Sequence, residues 1–129
     1  MQSQNFSTST DSYNTAVGYG AGSSVTTGVE NVIIGANAGD ALTDADRNTA
    51  LGLGAIGSDT LGSRSTAIGY AALNTQNFTT ATNSLNTAVG YEAGTAVTTG
   101  VNNTYVGALS GKDATTGTRN TALGNYSGA

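Results

Sequence analysis

Along this chain a short alternation of polar and apolar residues returns at a fixed distance. It first reads "NTAVGYGAG" at residues 14–22, and it comes back as "NVIIGANAG", "NTALGLGAI", "STAIGYAAL", "NTAVGYEAG", "NTYVGALSG" and "NTALGNYSG". The glycine that closes each alternation falls at Gly18, Gly35, Gly52, Gly69, Gly90, Gly107 and Gly124, so every step is the same except the longer one from Gly69 to Gly90. A fixed period of this length is the signature of a solenoid, where each copy is one turn stacked on the next. The long step holds four extra residues inside "NTQNFTTATNSL" and leaves the flanking register intact, so it predicts a loop bulging from one coil.

A longer repeat lies over the short one. "QNFSTSTDSYNTAVGYGAG" from Gln4 matches "QNFTTATNSLNTAVGYEAG" from Gln76, four coils further on. "VTTGV" recurs at Val25 and Val97, and "RNTALG" at Arg47 and Arg119. The chain therefore reads as a single repeat domain, 1–129, in which a four-coil block at 4–75 is duplicated as an incomplete copy at 76–129. Residues 4–14 resemble the end of another long coil, so the array is expected to begin in mid-coil.

Within one coil, alternation places Thr15 and Val17 on one strand face and Ala16 on the other. The same parity holds at Thr49/Leu51, Thr66/Ile68, Thr87/Val89 and Thr121/Leu123. The large aliphatics are expected to fill the coil interior, with the alanines outward, where another backbone can approach. Each glycine suits a corner with positive φ. The asparagine that opens six of the seven copies is expected to hydrogen-bond from coil to coil as a ladder. Tyr19 and Ala21 suggest a second short strand, and "VTTGV" a third element.

The expected fold is all-β: a parallel β-solenoid, or β-roll, of about seven 17-residue coils. At ~4.8 Å per coil the rod is about 35 Å tall. Its interior is thin against a backbone entropy cost of roughly 1–2 kcal/mol per residue. Several rolls packed side by side, with a homotrimer as the favoured state, are the expected remedy.

Composition narrows the function. Charged residues are 9% of the chain, with 8 acids against 4 bases and a net charge of −4. The cationic footprint of a nucleic-acid binder is missing. No run approaches the ~20 apolar residues of a spanning helix. "MQSQNFSTST" lacks the basic start and apolar stretch of a signal peptide, so export without one, or a fragment of a longer fibre, is expected. With no cysteine, disulfide staples are excluded, and with no histidine as well the usual nucleophile–base pairs are gone. No cofactor is expected.

At "NTAVGYGAG", "STAIGYAAL" and "RNTALG" the chain resembles two related groups. One is the YadA-like head of trimeric autotransporter adhesins; the other is the glycine-rich repeat region of bacteriophage tail fibres. The resemblance runs over residues 14 to 128 and rests on the strand, turn and small-residue pattern. It implies a left-handed, trimeric parallel β-roll, on a virion tail fibre or outside the cell, acting as shaft or receptor-binding head. The adhesin repeat is usually shorter than the 17-residue period here, which favours the fibre group.

Candidate sites are few. Tyr19, Tyr70 and Tyr91 share one coil position, and exposed aromatic faces stack on sugar rings. They are candidate glycan or receptor contacts, with packing between protomers as the competing reading. Phe78 in the long coil, with its twin Phe6, is a candidate contact or a plug. Asp40, Asp44 and Asp46 in "DALTDAD" are the only acid cluster. They suit a solvated turn or a salt bridge to Arg47 better than a carboxylate pair or a Ca²⁺ site, since the spacing matches no calcium loop. The rank Thr15, Thr49, Thr66, Thr87, Thr104 and Thr121 raises ice binding as a distant alternative, opposed by the expectation that this rank faces inward. The non-enzymatic adhesive fibre module is the leading reading. A filament subunit built by end-to-end stacking is the alternative, because uncapped strand edges template association.

Overall fold

The computed structural model describes residues 9–128. The start of the first repeat block, with Phe6, lies outside them. The described residues form an all-β chain with β1 Thr15–Val17, β2 Val32–Ile34, β3 Thr49–Leu51, β4 Gly62–Ser63, β5 Thr66–Ile68, β6 Thr82–Asn83, β7 Thr87–Val89, β8 Thr104–Val106 and β9 Thr121–Leu123. Seven of these make one parallel sheet in the order β1-β2-β3-β5-β7-β8-β9, and β4 pairs with β6. The register is uniform: Ala16 lies opposite Ile33, then Ala50, Ala67, Ala88, Tyr105 and Ala122. Seven strands stacked this way are joined by six turns, so the chain is a parallel β-solenoid of about six turns.

Apart from β4 and β6, the rest of each coil holds no second strand, contrary to the expectation for Tyr19 and Ala21. It is a run of tight turns that alternate their hydrogen bonds. Ala21, Ser23 and Val25 donate N–H back within the coil, to Gly18, Gly20 and Gly22, at 3.1–3.3 Å. The amides between them point along the rod: Gly22 donates to Ala38 O (3.0 Å) and Ser24 to Asp40 O (3.2 Å). The alternation needs left-handed residues at fixed places. In the third coil these are Gly54, Ile56 and Arg64, at φ 66°, 51° and 65°. Fourteen non-glycine residues among those described have positive φ, Ile56 and Leu73 included. Each costs roughly 1–2 kcal/mol against the right-handed form, a cost offset by inter-coil hydrogen bonds and burial.

The corner glycines behave as their spacing predicts. Gly18 and its six equivalents all have φ between 112° and 141°. They also stack directly, so that a Cβ on Gly18 would lie 2.6 Å from Gly35 O and one on Gly35 2.5 Å from Gly52 O. The rank must be glycine for contact as well as for conformation.

The interior is the reverse of the expectation. Ala50, Ala67 and Ala88 are fully buried, with Ala38, Ala55, Ala72 and Ala93 on the facing wall. Val17, Leu51 and Leu123 point outward, 57%, 43% and 67% exposed. The lumen of so short a coil is too narrow for a large side chain in every rank. One enters only where its neighbours are small. Tyr105 replaces the strand alanine where Gly111 leaves room for its ring, and Ile33 and Leu42 share the space over Gly39. Enlarging the alanine rank should therefore overpack the lumen. Ala67→Val is expected to lose about 1–3 kcal/mol in urea denaturation, whereas the outward Thr66→Val changes stability by under about 0.5 kcal/mol.

Asparagines hold the turns together. Oδ1 of Asn14, Asn31 and Asn48 accepts the N–H of the residue one coil on (Asn31, Asn48 and Ser65) at 2.8–2.9 Å. The ladder resumes from Asn86 to Asn103 and Asn120 at 2.9–3.0 Å. Nδ2 of Asn14, Asn31, Asn48, Asn86 and Asn103 donates across the coil to a main-chain carbonyl, as from Asn48 to Gly62 O at 2.9 Å. The break falls at Ser65, next to the long coil, and Gln76 fills it. Its Nε2 donates to Asp59 Oδ2 (2.6 Å) and Ser65 Oγ (3.1 Å), while Oε1 accepts from Asn86 Nδ2 (2.8 Å). All four residues are buried.

Candidate functional site

The outward side of the seven-stranded sheet is a regular surface that runs along the rod. Alternation brings the threonine rank and the aliphatic rank (Val17, Ile34, Leu51, Ile68, Val89, Val106 and Leu123) to this one side. This overturns the inward placement of Thr15 and its equivalents, and with it the ground for setting a surface role aside. The next rank, just past the corner glycines, is Tyr19, Ala36, Leu53, Tyr70, Tyr91, Ala108 and Asn125. None of these residues carries a charge, and the result is a neutral, largely apolar ribbon along the rod.

Two of the three candidate tyrosines meet. The rings of Tyr70 and Tyr91 stack with centroids 5.2 Å apart and planes within 10°. Tyr19 shares their rank but is separated from them by Ala36 and Leu53. Both stacked rings are exposed, so they present an aromatic plate to solvent. The Glu92 carboxylate, hydrogen-bonded to the Tyr91 hydroxyl, raises that phenol above its usual range.

Phe78 is withdrawn from the surface. It is 6% exposed, lies over Gly62, and donates its N–H to Asp59 Oδ1 at 3.0 Å. The inserted residues bulge as expected, with Thr79, Thr80 and Ala81 exposed above it. Phe78 anchors the bulge and offers no face to a receptor.

The three aspartates do not converge. Asp44 Oδ1 accepts from the Thr27 hydroxyl (2.6 Å) and Asp46 Oδ1 from Val29 N–H (2.9 Å), both one coil back. Among the described residues no three potential metal ligands gather into an ion site. Arg47 pairs with Glu30 at 2.5 Å instead of with an aspartate. The expected bridge is replaced because Glu30 and Arg47 occupy the same corner of successive coils.

Two features escaped sequence reasoning. One is the buried Asp59–Gln76–Ser65–Asn86 network, whose visible signal is the serine at the ladder position beside the long coil. The other is the last turn, where an apolar cleft of about 360 Å³ lies against Tyr105, Ala114 and Ala122. The Tyr105 hydroxyl is buried there without a hydrogen-bond partner. No helix among the described residues is long and apolar enough to cross a membrane. In comparison with known proteins, no family model, no curated protein and no solved structure matches this chain.

Proposed function

We propose that this chain is a non-enzymatic structural and adhesive fibre module, the shaft or head of a trimeric fibre that contacts a cell surface. The observation that carries the reading is the charge-free ribbon of outward aliphatic and aromatic residues along a stacked rod. An apolar surface of this regularity marks an interaction face. Three rods that pack the threonine and aliphatic ranks around a common axis bury Leu51, Ile68 and Val89 and leave the tyrosine rank at the rim and the charged corners wet. The threefold count, the left-handed winding and the place on a virion tail fibre or cell surface follow the resemblance at "NTAVGYGAG" and its copies, and the seven-coil array follows the spacing of the seven corner glycines. The Tyr70–Tyr91 plate is the glycan contact of this reading.

The test is the solution mass with and without a charge on the ribbon. The wild-type chain is expected at three times 12.7 kDa. Ile68→Glu, in a middle strand, is expected to return it to a monomer with unchanged circular dichroism. A variant that stays trimeric would move the contact to another face.

A second reading, a filament subunit, rests on the uniform register, in which every coil pairs in parallel with the next. Copies stacked end to end would extend the same sheet, and growth of mass with concentration distinguishes this from a closed trimer.

A further inference from the structure

The long coil opens a cleft beside its insertion. Its floor is the short β4–β6 pair, the only place among the described residues where the solenoid gains a second sheet. The inserted residues form one wall and the Asp44–Arg47 corner the other, enclosing about 300 Å³ open on one side. Asp44, Asp46, Ser63, Arg64, Thr82 and Asn83 line it.

These groups are held but not exhausted. Asp44 and Asp46 each use Oδ1 within the rod, as described above, and each keeps Oδ2 free. Asp46 N–H donates to Ser63 Oγ at 3.0 Å, and Arg64 N–H to Asp46 O at 2.9 Å, so the Asp44–Arg47 wall is tied to the floor. Arg47 is engaged with Glu30, but the Arg64 guanidinium has no ion pair among the described residues. Thr82 donates its hydroxyl to Thr80 O (2.9 Å), which leaves its oxygen as an acceptor. The Asn83 amide is exposed at the rim.

We infer that this cleft binds one neutral pyranose unit of a surface polysaccharide. The site rests on the adhesive reading of the protein and gives that reading a ligand class. Two fixed carboxylate oxygens accept from neighbouring hydroxyls, and a planar guanidinium with an amide donates to ring and hydroxyl oxygens. Two carboxylates in the wall disfavour anionic sugars and phosphates, and too few acids converge for a metal ion. The volume is at the lower end for small-molecule sites. It fits one ring, with the open side letting a polymer continue. The second repeat block does not keep the two carboxylates: Thr116 and Thr118 stand where Asp44 and Asp46 stand in the first.

The experiment is an amide-resolved NMR titration of the full chain with methyl α-mannopyranoside, methyl β-galactopyranoside and methyl β-glucopyranoside. At least one is expected to shift Ser63, Arg64, Thr82 and Asn83. Arg64→Gln, which removes the guanidinium, and Asp46→Asn, which keeps the side-chain shape and the acceptor for Val29, are expected to weaken binding at least ten-fold with an otherwise unchanged spectrum. Shifts confined to Tyr70 and Tyr91, or none with any of the three, would overturn the assignment. The solution mass is read separately, so failure here leaves the fibre reading standing or falling on its own test.

Discussion

Gly90→Ala is expected to unfold the middle of the rod. Gly90 has φ 141°, a conformation that L side chains rarely adopt. The new methyl would lie 2.5 Å from Gly107 O and 2.6 Å from its carbonyl carbon. Both are main-chain atoms in the sheet, so relief means separating two coils and losing their hydrogen bonds. A loss of about 3–5 kcal/mol is expected by urea denaturation. Gly124→Ala is the internal control. It has φ 112° but meets no atom within 4 Å, so only conformational strain applies. Its expected loss is about 1–2 kcal/mol. Equal losses would show that the corner rank is glycine for its backbone angle alone.

Asn86→Ala is expected to be of similar severity for a different reason. Asn86 Nδ2 donates to Gly100 O (2.7 Å) and to Gln76 Oε1 (2.8 Å), and its Oδ1 accepts from Asn103 N–H (2.9 Å). The residue is fully buried, so truncation strands two acceptors and a donor at the junction of the long coil with the next turn. At about 1–3 kcal/mol for each buried unpaired group, partly relieved by water, the total is about 3–5 kcal/mol. Asn14→Ala, at a half-buried position, should cost about 1 kcal/mol. Hydrogen exchange should show the Asn86 variant opening first between the long coil and the coil after it.

Period and punctuation of this fold were legible in the residues. The glycine spacing set the stacking register, and the asparagine before each strand marked the ladder. The four-residue excess of the long coil located the bulge. What alternation could not decide was its sign. It places Ala16 opposite in sense to Thr15 and Val17, but it does not say which side is enclosed. The habit of putting the larger residue inside fails in a lumen this narrow. A usable signal was the uniformity of the middle rank, alanine at five of seven copies, since an enclosed column tolerates less variation in volume. The left-handed positions were illegible for a related reason. Ile56, Leu73 and Arg64 have no intrinsic preference for positive φ, and only the hydrogen bonds to the coils above and below impose it.

The candidate site divides the same way. Three tyrosines in one rank were readable, but the contact of Tyr70 with Tyr91 depends on the long coil keeping register across its insertion. Phe78 was readable as an oddity and not as an anchor, because the glycine column that accepts its ring lies a coil away. The cleft above β4 and β6 joins residues from three successive coils, and no single stretch of the chain displays it.

The most direct measurement is the mass in solution by size-exclusion chromatography with light scattering. A particle of three chains of 12.7 kDa each is expected, reduced to one chain by Ile68→Glu. A wild-type monomer would contradict it. The threonine–aliphatic face would then be free in solution, and an ordered external surface such as ice would become its natural partner.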